Sequence, residues 1–73
     1  MEELKKMLET KYPNIDFDTE KSLVSGGILD SLDVVAVIAQ IEDLFDVSVT
    51  MEYIQPAYFE SVETMWEMIE ELL

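Results

Sequence analysis

The sequence predicts an all-α protein: a small four-helix bundle of three main helices and one short helix, with a long first loop. Three observations carry this. Apolar residues recur at helical spacing in three separate stretches. No stretch alternates with the period of two that marks a half-buried strand. Pro13, Asp30 and Ser61 stand where such helices need a stop or a start. A chain of 73 residues suits one domain, taken as 1–73. Its core is small enough to depend on tight helix packing.

Leu4, Met7, Leu8 and Tyr12 set the period of the first helix. Pro13 stops it near Lys11 or Tyr12, because a residue before proline is pushed out of the α region. Residues 13–29, "PNIDFDTEKSLVSGGIL", keep no sustained period. Ile15, Phe17, Leu23, Val24 and Ile28 give that stretch apolar anchors, so an ordered loop packed on the helices is expected. Asp30 suits an N-cap, and Asp33 three residues on resembles a capping box with Asp in place of Glu.

The second helix then runs from Ser31 to about Phe45. Val34, Val37, Ile38, Ile41, Leu44 and Phe45 gather on its core face. "DVSV" breaks it, and "TMEYIQPAYF" has one short turn of helix at most, because Pro56 interrupts it. Ser61 caps the last helix, where Val62, Met65, Trp66, Ile69, Leu72 and Leu73 make one stripe and Glu63, Glu67, Glu70 and Glu71 turn away. Trp66 and the methionines at 7, 65 and 68 read as packing.

Composition removes several functions. The net charge is −13, from 17 acidic residues against four lysines, so nucleic acid and anionic membranes are repelled. A field of this sign favours basic protein surfaces, and it also keeps a small protein soluble. There is no Cys, so no disulfide, and no His, so the usual zinc sites and Ser-His pairs are missing. An enzyme is not expected. With 49% hydrophobic residues the chain should fold and not stay disordered. The longest apolar run, Val34 to Ala39, is too short to span a bilayer, and "MEELKKMLET" is amphipathic and acidic, unlike a secretory leader. A cytoplasmic monomer without stable membrane insertion is expected. "DFDTE" matches the opening of a calcium loop, but Lys21 and Gly27 replace its Gly and its bidentate Glu, and no metal site is expected.

Two features of the second helix exceed what folding needs. Leu32, Ala36 and Ala39 lie opposite the core face, with Val35 at the margin, where a surface helix would carry polar residues. Asp33, Gln40, Glu42, Asp43 and Asp46 border them. Two readings stand: good helix-forming surface, or an apolar docking strip ringed by carboxylates for a basic partner. Ser31 is the second feature. Serine at a helix start is commonplace, but Asp30 already supplies the cap. Gly26 and Gly27 let a partner approach the backbone, and a helix N-terminus favours an attached phosphate. No His is present and no Lys lies nearby in sequence, so another enzyme must activate the hydroxyl. A serine modified in trans beside a docking strip describes a carrier.

"LDSL", followed by "DVVAVIAQIEDLF", resembles the prosthetic-group site and recognition helix of the acyl carrier protein family. The resemblance covers essentially the whole chain, element by element. It implies that Ser31 carries 4′-phosphopantetheine, placed there from coenzyme A by a phosphopantetheinyl transferase with magnesium. Asp30 would be part of the attachment motif. The arm's thiol would hold an acyl or aminoacyl thioester between an activating ligase and a downstream transferase or synthase, as in fatty acid, polyketide or nonribosomal peptide biosynthesis. Leu32, Asp33, Val35, Ala36, Ala39, Glu42 and Asp43 align with residues that meet partner enzymes in that family. The family often carries longer or acidic side chains where Ala36 and Ala39 stand. Fatty-acid-type carriers usually place Gly three residues before the serine, where this chain has Ile28. "GGILDSL" and "IQPAYFESVETM" look more like D-alanyl carrier proteins and related stand-alone aminoacyl or peptidyl carriers. The alternative is a small acidic helical adaptor or inhibitor that binds a basic partner unmodified. The Ser31 hydroxyl separates the two, since only the carrier needs it.

Overall fold

Two of the helices start in this chain where side chains supply the missing backbone partners. The computed structural model describes residues 2–73, so Met1 of the expected 1–73 domain lies outside the described residues. The elements run α1 (Glu2–Lys11), α2 (Ser31–Phe45), 3₁₀ turns at Met51–Tyr53 and Pro56–Phe59, and α3 (Val62–Leu72). Among the described residues there is no strand, and no helix is long and apolar enough to cross a membrane.

Leu4 and Leu8 of α1 are fully buried, and Tyr12 closes the helix by donating its N–H to the Leu8 carbonyl at 2.8 Å. α2 buries Val37, Ile38 and Ile41, while Val34 and Phe45 are half-buried. Leu44 departs from expectation. It is 42% exposed and faces an open concavity beside Met7 and Thr10 of α1. The periodic stripe on α2 is wider than the surface its neighbours cover, and Leu44 is at its uncovered margin. Asp46 then leaves the helix at φ 54, the left-handed position usually given to glycine. Ser61 and Thr64 form the capping box of α3: the Thr64 N–H donates to Ser61 Oγ at 3.2 Å, and the Ser61 N–H to Thr64 Oγ1 at 3.1 Å. Val62, Met65, Met68 and Ile69 are buried, with Trp66 half-buried. Leu73, expected in the same stripe, is exposed, because it lies past the last helical residue.

The long loop is ordered by its apolar residues and by a glycine. Phe17 and Leu23 are buried as expected, but Leu29 takes the core position expected of Ile28, which is exposed. The Gly26 N–H donates to the Ser22 carbonyl at 2.7 Å, and a Cβ on Gly26 would lie 2.5 Å from that oxygen, so no larger residue fits. Three bonds tie the loop to the entrance of α3. The Leu23 N–H donates to the Glu60 carbonyl at 2.9 Å. The Glu60 carboxylate accepts the N–H groups of Val24 and Ser25 at 2.9 and 3.0 Å. The segment after α2 also differs from expectation: it makes two 3₁₀ turns, not one at most. Pro56 does not prevent the second. It opens it, at a position where its missing N–H has no helical partner to lose. Phe59 follows, fully buried at the end of that turn.

Candidate functional site at the start of α2

Ser31 is the first residue of α2, and its surroundings are built from three elements. Asp30 precedes it in extended geometry, φ −96 and ψ −175, and its Oδ1 accepts the Asp33 N–H at 2.9 Å. Asp33 Oδ2 accepts the Asp30 N–H in return, at 3.2 Å. The capping box therefore closes around Ser31 and leaves its hydroxyl out of the bonding. Ser31 is exposed, and among the described residues no hydrogen bond occupies that hydroxyl. From just past the end of α1, the Tyr12 hydroxyl donates to Asp33 Oδ1 at 3.0 Å. The Asp30 N–H, and next the Tyr12 hydroxyl, hold the Asp33 carboxyl below its ordinary value. Burial, and then the Asp33 carboxylate, push the Tyr12 phenol up to about 12.

Beside Ser31 opens a groove of ≈ 470 Å³. Val24, Leu29, Val34, Val35, Ile54 and Pro56 give it apolar walls, and Gly27, Asp30, Ser31 and Gln55 complete its lining. Gly27 is there at φ 76, a conformation that favours glycine.

The expected docking residues fall into two groups. Leu32 and Val35 are 79% and 61% exposed, Ala39 is exposed and Ala36 half-buried, so an apolar strip does face solvent beside Ser31. Asp43 is exposed as well. Asp33 and Glu42 are half-buried and have intramolecular work. Asp33 serves the cap, and Glu42 Oε2 accepts the Val49 N–H at 2.9 Å, holding the chain that leaves α2. Sequence reasoning missed Ile54 in the groove wall and Met51, 87% exposed, in the first 3₁₀ turn just before it. Both lie in a segment without apolar period, so the pattern that revealed the strip on α2 could not reveal them.

A family model described as phosphopantetheine attachment site matches residues 2–58, from the start of α1 into the second 3₁₀ turn. The chain belongs to that family. Searches of curated proteins and of solved structures gave no match. The carrier's all-helical architecture agrees with the acyl-carrier fold. Its family is the site of covalent 4′-phosphopantetheine attachment. Such carriers generally work with transferases and synthases and are not themselves catalysts.

The residues present fit the group. An exposed serine hydroxyl can form the phosphodiester, the first-turn N–H groups and dipole of a 15-residue helix favour the phosphate, and the adjoining groove can receive the arm's apolar stretches. When bound, the group supplies a thiol, which this Cys-free chain lacks. Of the "DFDTE" carboxylates, Asp16 Oδ1 accepts the Asp18 N–H and Asp18 pairs with Lys5; among the described residues no group of three potential ligands converges.

Proposed function

We propose that the chain is an acyl or aminoacyl carrier in which residues 1–73 act as one domain and Ser31 is the attachment residue. In the modification, Ser31 Oγ attacks the phosphorus of coenzyme A that bears the pantetheine. A new O–P bond forms, the bond to the adenosine bisphosphate breaks, and the serine proton passes to a base on the transferase. Thereafter a ligase loads the thiol and a transferase or synthase unloads it. The observation that carries this reading is the exposed, unbonded Ser31 hydroxyl at the capped start of α2, within the family match. An aminoacyl cargo of the D-alanyl type is favoured over a long fatty acyl chain by Ile28 in place of the usual glycine and by the "IQPAYFESVETM" segment. Leu32, Val35, Ala36 and Ala39, with Asp43, are the docking surface, and the exposure beside Ser31 of all but the half-buried Ala36 supports it.

The test is intact mass after incubation with a phosphopantetheinyl transferase, coenzyme A and magnesium. The wild type should gain one phosphopantetheine, and Ser31→Ala should fold normally and gain none. Modification surviving in Ser31→Ala, or mapping to Ser22, Ser25, Ser48 or Ser61, would reject the assignment. The strip is tested separately. Ala39→Lys and Asp43→Lys should keep the wild-type melting curve and slow loading of the holo protein, the charge reversal chiefly through association rate at low salt. Loading unchanged in both variants would leave the strip as plain helix surface.

A further inference from the structure

The Tyr12 hydroxyl lines neither the groove nor the strip, yet it reaches the helix start that carries Ser31. Tyr12 is held from its own side: its N–H closes α1 on Leu8, and its ring is half-buried against the core. Its hydroxyl meets Asp33 Oδ1 at 3.0 Å. Asp33 is bonded twice to Asp30, at 2.9 and 3.2 Å, and Ser31 lies between them. The two-residue cap around Ser31 is thus tied to α1 from outside. First turns of helices open easily, and this one follows a long irregular loop. A bond from a neutral O–H to a carboxylate is of the stronger, charge-assisted kind. Burial and the carboxylate together keep the phenol protonated through the neutral range, so it remains a donor.

We infer that the Tyr12 hydroxyl is a positioning group: through Asp33 it holds the first turn of α2 in the geometry from which Ser31 Oγ is presented to the modifying enzyme. The inference rests on Ser31 being the acceptor. Tyr12 acts on the fraction of molecules with a formed first turn and not on the bond-making step. Apparent affinity falls with that fraction, while turnover of the bound complex does not.

Tyr12→Phe removes the hydroxyl and keeps the ring. With a phosphopantetheinyl transferase, coenzyme A and magnesium, KM for the carrier should rise by up to about tenfold at unchanged kcat. In the apo protein, hydrogen exchange at the Asp30 and Asp33 amides should speed up while α3 amides keep their protection. Ile69→Val is the control, a buried α3 change far from the cap in sequence, and should leave KM as it was. An unchanged KM in Tyr12→Phe overturns the inference. So does a rise shared by Ile69→Val, which would mean general stability, or a fall in kcat alone, which would put the hydroxyl in the chemistry. If the wild type is not modified at Ser31, the reading of the site fails instead. The exchange arm then decides the tether, and unchanged Asp30 and Asp33 protection in Tyr12→Phe overturns it.

Discussion

Glu60 shows how one side chain can organise a segment far from it in sequence. Its carboxylate takes two loop N–H groups and its carbonyl a third, so three residues of the long loop hang on one position before α3. The backbone bond from Ser25 is the main reason its carboxyl sits below the ordinary value. The Lys21 ammonium does the same for Glu63, and the cap does it for Asp33. The sign follows from linkage. A carboxyl whose folded value is depressed adds stability above its unfolded value, about 4.3 for Glu, and loses it as pH falls through the folded value. Glu60→Gln keeps an acceptor oxygen and removes the charge. Its melting temperature should lie below wild type at neutral pH, and the gap should narrow as pH drops from about 5 to about 3. A gap constant across that range would show that ionisation of Glu60 contributes nothing.

Among the elements, the three helices were legible in the sequence because each announces itself twice, by period and by a start or stop signal. The Asp30–Asp33 box formed where the spacing put it, and Ser61 caps α3 as expected, with Thr64 completing a box that the spacing had not suggested. What was not legible has a common cause. Phe59 and Val49 are buried, and Met51 and Ile54 exposed, in a stretch whose residues follow neither helical nor strand spacing, so their burial depends on contacts remote in sequence. Leu44 failed for the complementary reason: period tells which face is apolar but not how much of it a neighbour covers. Of the site, Ser31, Asp30 and the strip were readable from local spacing. The Tyr12–Asp33 bond joins two helices across the loop, and no local pattern encodes it. The two kinds of aromatic contact differ in stability. Phe59 is fully buried, and Phe59→Ala should cost about 3–5 kcal/mol. Phe45 is half-buried and meets Trp66 edge-on at 5.7 Å, so Phe45→Ala should cost less, with a coupling to Trp66→Leu of about 0.5–1.5 kcal/mol in a double-mutant cycle. Chemical denaturation of the variants checks both. A larger loss at Phe45 than at Phe59 would reverse this ranking of the core.

For the whole molecule, charge repulsion works against packing. Seventeen carboxylates in so short a chain repel one another, and only two cation–carboxylate pairs, Lys5–Asp18 and Lys21–Glu63, occur among the described residues. Both are exposed enough to contribute little. Screening should therefore stabilise the fold. Raising ionic strength from about 0.01 M to about 0.1 M shortens the screening length from about 30 Å to about 10 Å, and the melting temperature at neutral pH should climb. A melting temperature flat across that range would show that the acidic residues are already far enough apart.

Trp66, the sole tryptophan, adds a practical consequence. It rests against Phe45 at one end of α2, while Ser31 opens the other end, roughly 20 Å away along the helix axis. Its ultraviolet emission should follow unfolding faithfully and stay indifferent to a group attached at the proposed serine. Apo and modified forms can thus be compared with one built-in optical reporter, with no dye on the proposed docking surface.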